Sequence, residues 1–252
     1  MKKVLVVLAV AALTASMASA DTNIVSGNVV GYGRVNVPSG QLRLIGCNFQ
    51  TTSSSNSFSI QDLFDKDELF RDTEVANFAS AGSDQISVWN GTTYDTISYG
   101  TDGSKGVWLN ANNTLATKTF ARGDAFWFKR SGPTTNLTLS GQAPFDGPIS
   151  RTLDAGYQLF SYSFPKGSKL NELGMVARVD ADNAAANSDQ IMVFNGSTYD
   201  TYTYGYKAAS NANFWLDKYG RVTSAALPVS TAAWFKRVPA AGELSWNENK
   251  PY

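Results

Sequence analysis

The sequence predicts an all-β protein: two tandem homologous domains, each a β-sandwich or partly open barrel with at most one short helix. Three observations predict it: an internal duplication, an Asn-Gly turn signal in each copy, and a scarcity of helical periodicity. Residues 83–100 recur as 188–205, with 13 of 18 positions identical at an offset of 105. Trp108-Leu109 then matches Trp215-Leu216, and Trp127-Phe128-Lys129-Arg130 matches Trp234-Phe235-Lys236-Arg237, both at an offset of 107. Order and spacing are kept, so a whole unit of roughly 100 to 110 residues, the usual size of one domain, is duplicated.

Taken in order, residues 1–20 read as a signal peptide: Lys2-Lys3, an apolar stretch from Val4 to Leu13, and a small-residue Ala18-Ser19-Ala20 cleavage site. The stretch is well short of the roughly 20 residues a membrane-crossing helix needs. The expected mature chain begins at Asp21 and is exported to the periplasm, the cell surface or the medium. No lipid anchor and no transmembrane helix are expected. The first β domain then occupies 21–142 and the second 143–252, meeting at the Pro- and Gly-rich stretch 141–148.

Within the first domain, Leu42 to Phe49 reads as a strand carrying Cys47, the single cysteine of the chain. It has no partner for a bridge, and a buried inert thiol is the expectation. Upstream of the hairpin the copies match weakly at an offset of 116, which sets Leu42 and Leu44 beside Gln158 and Phe160. The polar run 51–57 reads as a solvated loop. Residues 59–70 give the best helix signal, with apolar positions at 60, 63, 64 and 70 and an acidic first turn behind a Ser cap. Its shorter counterpart is 168–173. Asn90-Gly91 and Asn195-Gly196 each mark a hairpin, because both central residues of such a turn need positive φ. Phe126-Trp127-Phe128, Leu137-Thr138-Leu139 and Tyr157-Gln158-Leu159-Phe160 are strand-like in composition. Trp127 and Lys129 lie on the opposite strand face from Phe126 and Phe128, so this strand is central or has one face on a partner. Residues 243–252 do not read as an alternating terminal strand, which weighs against a membrane barrel.

Composition excludes several functions. The 252 residues include no histidine, so Ser-His-Asp and Cys-His pairs, His-bearing zinc sites and a histidine base are ruled out. Lys and Arg number 21, as do Asp and Glu, and no basic run occurs, so nucleic acid is not an expected partner. No cofactor, metal site or catalytic residue is indicated.

The strand order resembles secreted β-modules that open on a "Gly-Trp-Asn-Leu" type strand and close on a "Gly-x-x-Phe/Tyr-Trp" strand. Such modules occur in uncharacterised exported proteins of Verrucomicrobia-like bacteria. Here the openings are Gly40 to Ile45 and Gly156 to Phe160, and the closings are Gly123 to Phe128 and Ser230 to Phe235. The second unit lacks the closing Gly and neither unit has the opening Trp. The resemblance implies a small exported β domain without catalytic machinery.

The candidate ligand-binding residues are aromatics of the repeat: Tyr94, Tyr99, Trp108, Tyr199, Tyr202, Tyr204 and Trp215. Flat rings stack on sugar faces, although strand aromatics commonly pack in the core. Ile97 against Tyr202 differs in polarity between copies and is read as an exposed position. Asp84 with Asp95, and Asp189 with Asp200, are the duplicated carboxylates. A glycosidase needs two carboxyls about 5 to 10 Å apart, but Asp at turns and strand ends more commonly caps backbone. Asp180-Ala181-Asp182-Asn183 resembles a calcium loop only in its alternating oxygens. Asn90, Asn112, Asn136 and Asn195 open Asn-x-Ser/Thr triplets. The expectation is an exported, non-catalytic structural or binding protein of the envelope or matrix. The alternative is a carbohydrate-binding module, with polysaccharide, other envelope proteins or a second copy of the chain as partners. An outer-membrane barrel and a carboxylate glycosidase rank lower.

Overall fold

A computed structural model describes residues 30–51, 55–180 and 186–251. The first unit holds β1 (Val30–Val37), β2 (Leu42–Gly46), β3 (Ser57–Ser59), β4 (Gln85–Trp89), β5 (Tyr94–Thr101), β6 (Gly106–Leu109), β7 (Thr119–Ala121), β8 (Ala125–Lys129) and β9 (Thr135–Gln142). The second holds β10 (Ile149–Leu153), β11 (Gly156–Phe160), β12 (Ser168–Lys169), β13 (Gln190–Phe194), β14 (Tyr199–Lys207), β15 (Ala212–Leu216), β16 (Ala226–Leu227), β17 (Ala233–Arg237) and β18 (Leu244–Glu248). The protein is all-β, and no closed barrel forms among the described residues.

Both units have one topology. Each has a five-stranded antiparallel sheet, β2-β8-β4-β5-β6 in the first and β11-β17-β13-β14-β15 in the second. Each adds two ribbons, β1-β9 with β3-β7 and β10-β18 with β12-β16. Side chains alternate across a strand, so one face of each sheet packs on its ribbons and builds a core. The first core gathers Ile45, Ile86, Phe126 and Phe128 from the sheet with Val37, Leu137 and Phe120 from the ribbons. The second gathers Phe160, Ile191, Trp215 and Phe235 with Leu153 and Trp246. Volume is exchanged between facing rungs: Ile45 opposes Phe126 in the first unit, whereas Phe160 opposes Ala233 in the second. All four are fully buried, so each rung keeps one large ring, supplied by β8 in the first unit and by β11 in the second.

Both expected hairpins form, but with four-residue loops, 90–93 and 195–198, in which the glycine takes positive φ and Asn90 and Asn195 do not. Gly91 and Gly196 take φ of +100° and +104°, and the Asn90 and Asn195 side chains accept from the backbone N–H groups of Thr93 and Thr198. Cys47 is buried just past the end of β2, and burial pushes its thiol pKa up, as an inert thiol requires.

Three expectations are corrected. The helix over 59–70 is instead two 3₁₀ turns, Ile60–Asp62 and Lys66–Glu68. Ser59 caps the first as expected, but Asp65 is extended and caps a second turn, which divides the run. The offset at the opening strands is 115, since Leu42 opposes Lys129 and Tyr157 opposes Lys236. One residue fewer in the turn before β11 shifts the match, and a one-residue slip reverses the faces. Finally, the tail does alternate: Leu244, Trp246 and Glu248 are buried while Ser245 and Asn247 are exposed. The pattern was hidden because an inward position carries a carboxylate. Glu248 is held by Arg151 at 3.3 Å and by the Ser163 N–H and hydroxyl at 2.6 and 2.8 Å.

Candidate functional site

The outer faces of the two sheets meet. β4 and β8 present Trp89 and Trp127 outward; β13 and β17 present Phe194 and Trp234, their repeat counterparts. Trp89 packs edge-on to Trp234 with centroids 5.3 Å apart, and Trp127 packs edge-on to Phe194 at 5.0 Å. Tyr94 lies 6.5 Å from Trp234, and Tyr199 lies 6.5 Å from Trp127. These ring contacts therefore occur twice with the roles of the units exchanged, as in an isologous interface between two copies, whereas the bond from Trp89 Nε1–H to Tyr157 O at 3.0 Å is one that Phe194 cannot reproduce. The backbone obeys the same rule. Gly46 N–H donates to Ser230 O at 3.1 Å, and Ser161 N–H, in the counterpart position, donates to Gly123 O at 2.8 Å. Leu44, Ala125 and Ala232 complete a buried apolar joint around Trp127. β8 thus satisfies both readings of its two bulky faces, being central in its sheet and covered by a partner unit.

The duplicated carboxylates Asp84 and Asp189 are fully buried and each pairs with the Arg of the repeated Trp-Phe-Lys-Arg motif, Arg130 and Arg237. Asp84 also accepts from the N–H groups of Phe70 and Ser131 at 2.9 Å each. Asp189 accepts from Arg178 and Val238 at 2.7 and 2.9 Å. Each carboxylate ties an incoming loop to the end of a central strand. Asp95 is exposed near the hairpin tip, opposite Val88. Four residues of strand, roughly 13 Å, separate that rung from Asp84, beyond the span of a glycosidase pair. The calcium-loop candidate falls largely outside the described residues, at 181–183. Among the described residues no group of three or more His, Cys, Asp or Glu gathers around a metal-sized space. Nor is any helix there long and apolar enough to cross a membrane.

The seven candidate aromatics separate. Tyr99 and Trp108 pack as tilted rings 5.2 Å apart within the first core, and Tyr204 and Trp215 do so 5.0 Å apart within the second. Burial of these four places them beyond reach of a sugar face, correcting the stacking role expected of them. Burial also pushes the Tyr99 and Tyr204 hydroxyls up in pKa. Tyr202 is half-buried against the second core, and Ile97 is buried in the first, so this pair does not mark an exposed position. Only Tyr94 and Tyr199 keep substantial exposure, at 39% each. They flank a cleft of about 480 Å³ at the rim of the joint, shared with Leu42, Trp127 and Phe194.

Sequence reasoning did not find the neighbouring groove, of about 700 Å³, on the first unit. β6 covers β5 only from Ser98 to Thr101, so residues 94–97 pair with β4 alone. The loop after β6 and the segment before β7 stand off this uncovered edge. Tyr94, Asp95 and Thr96 form one wall; Asn112, Thr117 and Lys118 form the other. In the second unit the larger Tyr202 takes the place of Ile97 and Thr223 that of Ala116, and the two side chains lie close together at the equivalent position. The Ile97/Tyr202 difference was the available signal, and it marks space rather than exposure. The chain matches no protein-family model, no curated protein and no solved structure.

Proposed function

We propose that the protein is an exported, non-catalytic scaffold of the cell envelope or extracellular matrix, built as two units locked face to face. The observation that supports this is how the repeat's shared residues are used. The turn formers shape hairpins, Tyr99, Trp108 and their counterparts fill cores, Asp84 and Asp189 tie loops down, and the outer aromatics close the joint. What duplication preserved is thereby spent on holding a rigid body together. The signal-like residues 2–20 support export of that body.

The test is production of the full chain in a bacterial host, with mass spectrometry of its amino terminus and fractionation of cells and medium. The expected product starts at Asp21 and is recovered outside the cytoplasm. A cytoplasmic product that retains residues 1–20 overturns export. A hydrolytic activity abolished by Asp95→Asn or Asp200→Asn, with folding intact, overturns the non-catalytic reading.

A further inference from the structure

We propose that the first unit binds a neutral polysaccharide in the groove walled by Tyr94, Asp95, Asn112 and Lys118, with the aromatic cleft at the joint as its continuation. This goes beyond the scaffold reading and does not depend on export. The groove and the cleft share Tyr94 and Thr96, so they form one surface path around a single exposed ring. Along that path the chemistry changes. The groove offers a carboxylate, a carboxamide, an ammonium and several threonine hydroxyls, groups that pair with vicinal sugar hydroxyls as donors or acceptors. The cleft offers Leu42, Phe194 and Tyr199, apolar surfaces suited to the C–H face of a sugar ring.

Charge narrows the ligand. Asp95 and Lys118 oppose each other across the groove and cancel, leaving no excess of either sign to select a phosphate, a polyanion or a cation. The path is open to solvent along its length, as an extended polymer needs. An extended peptide could add to the uncovered edge of β5, but that edge is only four residues long, while the opposite wall carries side-chain donors and acceptors. The polar set favours the saccharide.

The two units differ here in a way that provides the control. The groove is lined by Ile97 and Ala116, and the second unit carries the larger Tyr202 and Thr223 at those two positions, so binding is assigned to the first unit alone.

The experiment is affinity electrophoresis of the full chain in native gels containing hydroxyethyl cellulose, xylan, galactomannan or laminarin, with alginate as an acidic comparison. At least one neutral glycan is expected to retard the protein. The double variant Ile97→Tyr with Ala116→Thr, which reproduces the second unit's arrangement, is expected to weaken retardation at least tenfold. Asn112→Ala, far from the joint, tests the same wall without touching the core. Tyr219→Ala, an exposed ring on the second unit, is expected to leave binding unchanged. Retardation by none of the neutral glycans, by alginate alone, or equally in the filled-groove and Asn112 variants, overturns the proposal, as does capture of an extended peptide without any glycan.

Discussion

Asp84 and Asp95 belong to the same repeated motif and have opposite roles. Removing the Asp84 charge leaves the Arg130 guanidinium buried without its partner, and breaking one side of such a pair costs about 3–5 kcal/mol. Asp84→Asn is therefore expected to lower the urea midpoint markedly, whereas Asp95→Asn, on an exposed side chain, stays within about 0.5 kcal/mol of the parent. Glu248 supplies a pH effect. Burial raises its carboxyl above the ordinary value of about 4.5, with Arg151 and Ser163 pulling it partly back. The folded state then holds its proton more tightly than the unfolded chain. The contribution to stability is full below about 4.5 and is lost as pH rises through the folded value. Urea midpoints across this range are expected to fall with rising pH for the parent and to lose that component in Glu248→Gln. At this scale the sequence showed the duplicated Asp and the duplicated Arg but not their pairing, which lies about fifty residues apart in the chain and depends on β4 and β8 being neighbours.

Single elements were legible where their signal is local. Asn-Gly between alternating segments located both hairpins, because the glycine accepts the one positive φ of the loop and the Asn side chain caps its N–H groups. Gly91 has open space around the position of a Cβ, so Gly91→Ala isolates the backbone term. It is expected to cost about 1–2 kcal/mol, read as a lowered thermal midpoint, with Gly196→Ala matching it. Elements were misread where tertiary contacts decide. The run 59–70 has helical spacing, yet Gln61 bonds the Trp108 N–H and the carbonyls of Trp108 and Ala116, fixing one turn against β6. The alternation of β18 was obscured by Glu248, whose partner Arg151 sits on a different strand. In β11 the weak match placed residues one position off, enough to exchange inner and outer faces.

At the scale of the molecule, the decisive feature is a joint that sequence could not separate from a core. Trp89 and Trp127 look the same as core residues in one dimension, since both stand in apolar strands. The available clue was the second bulky face of β8. Gly46 tests the joint without disturbing either core. A Cβ there would lie 2.3 Å from Ser161 Cβ and 2.5 Å from Thr231 O, both across the joint. Gly46→Ala is expected to cost about 1–3 kcal/mol, as overpacking does, and to turn a single calorimetric transition into two resolvable ones. One unchanged transition would show that the units do not rely on this approach. The groove beside the joint was invisible for a related reason: its existence depends on a residue being small, and only comparison of the two copies in space reveals what Ile97 leaves open.

The short connection between the units also bears on how strong the joint has to be. Only residues 143–148 separate β9 from β10, so each outer face meets the other at an effective concentration in the millimolar range or above. Two free units would need considerable affinity to remain associated in dilute surroundings. Tethered units do not, and this relaxes selection on the contact itself. Trp89 and its counterpart Phe194 have been free to diverge in size while the assembly remained closed. Covalent linkage in this way lets the two copies differ and still stay closed on one another, as they do at Ile97 and Ala116 of the first against Tyr202 and Thr223 of the second.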